Sequence, residues 1–268
     1  MSPLPSGPAA RARGVVRTFR ERVASGEPRT PARRGLVTAL AGVDLDLPRG
    51  AVTALVGKNG AGKSTLLKIL AGLLPPSAGE VEILGEPPPS RRARPRRLAP
   101  RVGYLAQRRE LDPEMTGRET LDFLAALHGL DRHTRRQRTT DLASAFGLTS
   151  HLPRRVAGYS GGLARRLHLA GGLLHDPELL LFDEPTAGLD PEGVDRLWEE
   201  LTRRAAGGVA IAVATHDLAA VERWASRVVI LEDGRQIAAG RPGELGDLAE
   251  RFRERPRAGP MATSGEPS

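Results

Sequence analysis

A glycine-rich loop with two lysines, "GKNGAGKST" at residues 57–65, has the clearest chemical meaning in this sequence. It fits the pattern G-x-x-x-x-G-K-[ST], in which glycines let backbone N–H groups turn toward phosphate oxygens at a helix N-terminus. Lys63 would reach the β- and γ-phosphates, and the Ser64 hydroxyl would bind Mg²⁺. The pattern predicts a nucleoside triphosphate site, and the alternative is a glycine-rich turn with a chance lysine. The predicted contacts are Gly57, Lys58, Asn59, Gly60, Ala61, Gly62, Lys63, Ser64 and Thr65.

Two carboxylates follow an apolar, strand-like run in "LLLFDEP" at residues 179–185. Asp183 ends the run, at the sheet edge where α/β proteins bind ligands, and its carboxylate is a suitable Mg²⁺ ligand. Glu184 comes next and is placed to take a proton from an attacking water. Two acids after a strand also fit a solvated turn, so the pair becomes informative only together with the loop at 57–65.

Gln107 and His216 also end apolar runs, "VGYLAQ" at 102–107 and "AIAVATH" at 210–216. If both runs are strands of one sheet, both side chains face the same nucleotide as Asp183. A loop residue without a role is the alternative for each. The other histidines show no metal-ligand spacing and are interpreted as surface or helix residues: His128, His133, His151, His168 and His175.

A second glycine-rich stretch, "YSGGLARRL" at 159–167, places a hydroxyl and two glycines before a predicted helix. Ser160, Gly161 and Gly162 could bind phosphate at that helix start, and a plain helix-start turn is the alternative. Two more glycines, Gly171 and Gly172, lie inside the helix. Each costs about 1 kcal/mol relative to alanine, and the sequence offers no reason for them.

The elements that would position these residues alternate between strands and helices, which predicts an α/β fold with a mostly parallel sheet. A buried strand at 51–57 leads into the helix after the loop. "LAGVDLDLPRG" alternates in polarity, as in a half-exposed strand of an antiparallel sheet. We therefore expect a P-loop NTPase core, an antiparallel β subdomain and an inserted α-helical subdomain at about 108–175.

Both ends of the chain are rich in Pro, Ser, Gly and Ala. We interpret residues 1–12 as a disordered basic tail, residues 13–240 as the folded domain and residues 241–268 as a partly disordered extension. The stretch at 21–35 is interpreted as a loop between two strands.

Composition restricts the possible classes of protein. The chain has 268 residues, enough for one large domain, and no cysteine, which excludes disulfides and thiolate metal sites. Its net charge of +8 comes from arginine-rich runs within 1–34 and 91–101, while the remainder is mildly acidic. Such runs are solvated tails or docking sites for anionic lipid or nucleic acid. The sequence shows neither a leader nor the ~20-residue apolar run of a membrane helix, so we expect a cytoplasmic protein.

Together these motifs resemble the ATP-binding cassette (ABC) ATPases, and the resemblance covers roughly residues 14–240. It implies that two cassettes, identical or different, pair head to tail and enclose two ATP molecules. Each ATP would lie in the phosphate loop of one subunit, beneath Ser160, Gly161 and Gly162 of the other. The two glycine-rich stretches of one chain would therefore serve two different nucleotides.

The resemblance also implies roles for the polar residues at the strand ends. Ser64, Gln107 and Asp183 would serve Mg²⁺, with Gln107 also near the attacking water. Glu184 would be the general base, and His216 would contact the γ-phosphate.

Further implied contacts, and departures from the family pattern, lie outside that group. Asp190, in "AGLD" at 187–190, would lie at the dimer seam, and Phe19 is the candidate for stacking on adenine. The usual signature Leu-Ser-Gly-Gly-Gln here has Tyr159 and Leu163 at its flanks. ATP capping by the backbone and Ser160 should persist, without side-chain help at Leu163.

The resemblance favours the ATP-binding subunit of a membrane transporter. Such a subunit lies on the inner face of the cell membrane and works with a separate permease. The stretch at 171–191 is most similar to exporter cassettes for drugs, lipids or polysaccharides, which favours export over import. The alternative is a soluble cassette ATPase that acts on nucleic acid or ribosomes. Only 52 residues separate Gln107 from Ser160, too few for the long coiled coil of repair types, and the chain has one cassette. A third possible function, a phosphate-loop kinase, would give no role to "YSGG" and His216.

Overall fold

The computed structural model describes residues 7–20, 36–88, 98–107 and 111–246. The predicted loop at 21–35, most of the arginine run at 91–101 and the outer parts of both terminal segments lie outside the described residues. The strands are β1 (Ala10–Arg20), β2 (Leu36–Leu47), β3 (Val52–Val56), β4 (Ala78–Ile83), β5 (Val102–Leu105), β6 (Leu179–Asp183), β7 (Ala210–Thr215), β8 (Arg227–Glu232) and β9 (Arg235–Gly240). The helices are α1 (Lys63–Leu70), α2 (Gly117–Leu127), α3 (Arg132–Ala145), α4 (Gly161–Leu173), α5 (Pro191–Ala206) and α6 (Leu218–Trp224).

The central sheet has six strands in the order β5-β6-β7-β3-β8-β9. The first five run parallel, and β9 pairs antiparallel with β8. Every residue of β3, β6 and β7 is buried, as expected for strands covered on both faces. Their carboxyl ends lie side by side, with Asp183 opposite Ala214 and Val56 opposite Thr215. The predicted parallel sheet is confirmed, and it brings the polar strand ends to one edge.

A second, antiparallel sheet has the order β2-β1-β4. In β2, Val43, Leu45 and Leu47 are buried whereas Asp44 is exposed. This is the alternation that the sequence predicts for a half-exposed strand, so the antiparallel β subdomain is confirmed.

The predicted disordered tail at residues 1–12 is wrong for its last part. β1 begins at Ala10, and Ala10 and Ala12 are at most 1% exposed. Arg11 between them lies on the outer face, 3.4 Å from a carboxylate oxygen of Asp46. The alanines alternate with arginines at the period of a strand and enter the core, although composition alone counts alanine toward disorder.

The folded part also continues past the predicted boundary at residue 240. A short 3₁₀ helix (Pro242–Glu244) follows β9, and Leu245 is 7% exposed and packs with Val228 and Ile230 of β8. The segment at 241–268 therefore begins as part of the core, and its residues beyond 246 lie outside the described ones.

The helices α2, α3 and α4 form the predicted insertion between β5 and β6. Thr116 and Glu119 make a capping box at the start of α2, and Asp131 caps α3. The block packs around fully buried Leu121 and Phe146. None of the helices in the described part of the chain is long and apolar enough to span a membrane.

The glycines inside α4 let this helix approach its neighbours closely. A Cβ at Gly171 would lie 2.6 Å from Leu124 Cδ1 of α2, and one at Gly172 would lie 2.6 Å from Leu105 Cγ of β5. Both distances are too short for carbon atoms that are not bonded. Close packing on α2 and β5 thus accounts for two residues that disfavour helix formation.

Candidate active site

The loop between β3 and α1 has the backbone geometry that its glycines predict. Gly60 and Gly62 have φ of 88° and 100°, in the left-handed region that glycine tolerates best. A Cβ at Gly62 would also lie 2.6 Å from the carbonyl oxygen of Ala39. Gly62 caps α1 without a side-chain hydrogen bond, which leaves the first N–H groups of the helix available to an anion.

Lys63 is a buried cation inside this loop. Its side chain is 7% exposed, and Nζ donates to the carbonyls of Gly57 at 2.6 Å and Lys58 at 3.3 Å. Nζ also lies 4.0 Å from Glu184 Oε1. Burial lowers the pKa of Lys63, while the charges of Glu184 and Asp183 oppose that shift. The ammonium group is therefore held at the centre of the loop, where phosphate oxygens could replace the carbonyls as its partners.

Ser64 and Asp183 meet where α1 begins and β6 ends. The Ser64 hydroxyl donates to Asp183 Oδ1 at 2.9 Å. Beside them, burial and then the Asp183 carboxylate raise the pKa of Tyr104 to about 12. Among the described residues, no well-aligned hydrogen bond reaches the buried Tyr104 hydroxyl. Hydroxyl and carboxylate oxygens are the ligands that Mg²⁺ prefers, so this pair fits the predicted metal site.

Glu184 has an unusual backbone conformation, and its two carboxylate oxygens lie near Lys63 and His216. Its φ is 49°, in the left-handed region, and its side chain is 12% exposed. Oε2 lies 2.9 Å from His216 Nδ1, although the approach is not aligned as a hydrogen bond. The His216 ring is 74% exposed, which leaves it accessible from the solvent side. A carboxylate with an unsatisfied oxygen at this edge can accept a proton from water.

These groups line one cavity of about 540 Å³ at the carboxyl edge of the central sheet. Ala39 of β2 contributes to its wall, together with eleven of the predicted site residues. They are Asn59, Gly60, Ala61, Gly62, Lys63, Ser64, Thr65, Gln107, Asp183, Glu184 and His216. The structure thus brings together residues that the sequence spreads over four separate segments.

A second cavity, of about 520 Å³, lies between α3, α4 and α5. Five of its six charged side chains pair with one another. Arg204 Nε lies 2.7 Å from Glu200 Oε1, and Arg138 lies 3.5 Å from Asp176. Because these charges are already compensated, we assign no ligand to this cavity.

Ser160, Gly161 and Gly162 begin α4 and are not part of the first cavity. Ser160 caps the helix, since its Oγ accepts the N–H of Leu163 at 3.2 Å. Ser160 and Gly161 are exposed to solvent. The start of α4 is therefore an accessible helix N-terminus outside the cavity of its own chain.

Tyr159, which replaces the signature leucine, anchors the start of α4. Its hydroxyl donates to the carbonyl of His151 at 2.7 Å. A Cβ at Gly117 would collide with this hydroxyl, so the first residue of α2 leaves room for the tyrosine. The hydrogen bond of the Tyr159 hydroxyl to His151 thus links the signature stretch to the loop before α4.

Comparison with known proteins decides the family. The profile of the ABC transporter family matches residues 40–187, more than half of the chain. The chain belongs to the ABC transporter family. The structure described as "Structure of ATP binding subunit of ABC transporter" superposes with a TM-score of 0.73 at 29% identity, over 88% of this chain and 91% of that one. The predicted family and fold class are confirmed.

Two curated relatives carry more specific names. The chain is 40% identical over 213 residues to "Daunorubicin resistance ATP-binding protein DrrA3" of Streptomyces coeruleorubidus, covering 80% of this chain. It is 41% identical over 204 residues to "Nod factor export ATP-binding protein I" of Burkholderia pseudomallei, covering 76% of this chain. Each match spans 66% of the relative's own length.

Several residues predicted for this ABC cassette lie outside the cavity wall. Phe19 is 38% exposed on β1, and the Arg17 guanidinium lies 4.7 Å from its ring centre. Gly57 and Lys58 contribute their carbonyls to Lys63. Asp190 caps α5 by accepting the N–H of Gly193 at 3.1 Å. Adenine stacking by Phe19 and a seam contact by Asp190 stay predictions.

Sequence reasoning missed three residues at or behind this ABC site. Ala39 reaches the cavity because β2 packs against Gly62 of the loop, which no local pattern indicates. Tyr104 could have been found, because a tyrosine near the end of a buried strand next to Gln107 is a polar group at the same sheet edge. Arg165 could have been noticed as a charged residue on the buried face of α4, which also carries Leu169.

Proposed function

We propose that this ABC chain binds and hydrolyses ATP as the energy-coupling subunit of a membrane exporter. The observation that carries the proposal is the convergence in one cavity of a buried lysine, a hydroxyl–carboxylate pair and a carboxylate oxygen of Glu184 that accepts no aligned hydrogen bond. Export is supported by relatives whose names refer to drug resistance and to export of Nod factor.

Different residues of the cavity would bind the phosphates, activate the water and hold the metal ion during hydrolysis. The loop N–H groups and Lys63 would hold the phosphates, since they offer positive charge in a buried setting. Glu184 would accept the proton of the attacking water, and His216 would contact the γ-phosphate. Ser64, Asp183 and Gln107 would hold Mg²⁺, which neutralises phosphate charge when it is bound.

Two chains would be needed for a complete site. The start of α4 is exposed and lies outside its own cavity, so the ATP that it would cap belongs to a second cassette, identical or different. Backbone N–H groups at 161 and 162, with the Ser160 hydroxyl, suit the γ-phosphate of that ATP. ATP-dependent closure of the two cassettes would then move a separate permease, with the cassettes on the inner face of the membrane.

Co-expression with a membrane protein of about six helices from a neighbouring reading frame tests the assignment. Purified wild-type chain should release phosphate from Mg²⁺–ATP, and it should co-purify with that protein in detergent. A chain that neither binds nor hydrolyses ATP would contradict the proposed activity. Hydrolysis by a chain that co-purifies instead with ribosomes or nucleic acid would contradict the transport role.

A further inference from the structure

Arg165 of α4 lies behind the cavity, and only 9% of the residue is exposed. Its Nε donates to the carbonyl of Pro185 at 3.2 Å, and one terminal nitrogen donates to the carbonyl of Glu184 at 2.8 Å. The other terminal nitrogen donates to the carbonyl of Gln107 at 2.8 Å and to that of Ala106 at 3.5 Å. One side chain thus connects the segments that follow β5 and β6.

The partners of Arg165 are main-chain carbonyls rather than carboxylates. Its other polar neighbour is His168 Nδ1, 3.4 Å away, and no ion pair of Arg165 occurs in the part of the chain that the structure describes. Burial lowers the pKa of the guanidinium, because the charged form loses its solvation. A buried charge without a counter-ion is unfavourable unless its donors are satisfied. Each of the three nitrogens of the planar guanidinium donates to a main-chain carbonyl, and these carbonyls belong to two loops.

One of the carbonyls that Arg165 holds belongs to a strained residue. A non-glycine residue in the left-handed region costs about 1–3 kcal/mol and persists only when its surroundings hold it. The N–H of Glu184 donates to the Ala214 carbonyl at 2.9 Å, which fixes one side of the residue. The Arg165 hydrogen bond fixes the other side.

We propose that Arg165 is a positioning residue for ATP hydrolysis. It keeps Glu184 in its left-handed conformation and Gln107 at the cavity wall, so that the base and the predicted water contact stay aligned. The inference rests on the proposed ATPase function. Because Arg165 lies on the same helix as Ser160, α4 would also connect the surface that caps a partner's ATP to the base of its own site.

Substituting Arg165 tests this role, because the loss of a positioning residue should lower kcat and leave the KM for ATP nearly unchanged. Arg165→Met keeps much of the length and removes all N–H donors, so kcat should fall about 10- to 100-fold, as expected for the loss of charged hydrogen bonds. The KM for ATP should stay within about 2-fold, because the phosphate loop is untouched. Arg165→Lys keeps the charge but not the fork, and its kcat should lie between those of the methionine variant and the wild type.

Arg138→Met is the matched control. Arg138 donates to the Leu174 carbonyl at 2.8 Å, beyond the opposite end of α4, so its loss removes a similar bond away from the cavity. We expect its kcat to equal that of the wild type. Melting temperatures of all variants show whether each is folded at the assay temperature, and the lysine variant replaces Arg165→Met if the latter is not.

A folded Arg165 variant with wild-type kcat, or one whose KM rises while kcat is unchanged, would overturn the positioning role. Equal losses of kcat in Arg165→Met and Arg138→Met would also overturn it, since general weakening of α4 would then explain both. A wild-type chain that hydrolyses no ATP would instead contradict the proposed function itself.

Discussion

The loop at 57–65 and the stretch at 159–162 both place glycines before a helix, yet their surroundings differ. The first lies in a cavity with the buried Lys63 and faces carboxylates from another strand. The second is exposed, and Ser160 already occupies one N–H of its own helix. Two similar glycine-containing sequences thus form part of a buried cavity in one place and an open surface in the other. In the proposed function, only the open surface acts on a nucleotide held by a second molecule.

Replacing the predicted base separates binding from turnover and should give the largest effect. Glu184→Gln keeps the shape of the cavity but cannot accept the proton, so kcat should fall about 10²- to 10⁴-fold. ATP binding should persist, and light scattering should show a dimer held together by unhydrolysed ATP. Glu222→Gln, at an exposed acid of α6, is the control and should behave as wild type. A monomer with ATP bound would contradict the two-chain site.

A bulky cation at the open surface should block hydrolysis without affecting the pocket. Ser160→Arg places a large side chain where the partner's γ-phosphate would lie, so kcat should drop about 10²-fold, in the range seen for loss of transition-state contacts. The affinity of the monomer for ATP should equal that of the wild type. Thr140→Arg adds the same charge at another exposed position of the helical block and should leave kcat unchanged. Unchanged turnover in Ser160→Arg would show that the open surface has no role in the reaction.

The pocket itself is tested by removing its buried cation. Lys63→Met should weaken ATP binding about 10- to 100-fold, because charged hydrogen bonds to phosphate are lost. Lys68, on the exposed side of α1, provides the matched control as Lys68→Met. Equal ATP affinities of the two variants, measured by titration of the monomer, would argue against a phosphate-binding role for the loop.

The two helix starts also differ in how they are capped, which predicts a smaller effect. Ser160→Ala removes the acceptor for the Leu163 N–H and should lower the free energy of unfolding by about 1 kcal/mol. Gly62 makes no such side-chain bond, but a Cβ there would lie 2.6 Å from the Ala39 carbonyl. Gly62→Ala should therefore destabilise the chain by more than Ser160→Ala in urea unfolding. The reverse order would mean that the cap at α4 supports more than its own helix.

The lining of the candidate site was largely predictable because each motif combines a local backbone requirement with a strand end. Glycines at 60 and 62 adopt positive φ, and Asp183 ends a buried strand, so sequence position alone brings them to one edge. Tyr104 and Arg165 each carry a local signal, a polar group near a strand end and a charge on a buried helix face, but their contacts depend on which elements pack together. No local pattern shows that a helix begun at residue 161 reaches the loops after two strands.

The fold was predicted less completely at its margins. β4, β9 and α6 were not anticipated, because their short sequences mix polar and small residues; the two strands gain order from pairing and the helix from packing through Val221. The start of β1 was misassigned for a related reason. Its alanines give little hydrophobic signal, and the core that buries them is formed by distant strands.

The glycines of α4 set a limit on how this protein can be stabilised by engineering. Exchanging helical glycine for alanine commonly raises stability by reducing the freedom of the unfolded chain. Here three atoms of Leu105 lie within 2.7 Å of where a methyl group at Gly172 would sit, so the exchange would push α4 away from β5. Leu105 precedes Gln107 by only two positions. A variant made more heat-resistant elsewhere should therefore keep residue 172 as glycine if its turnover is to survive.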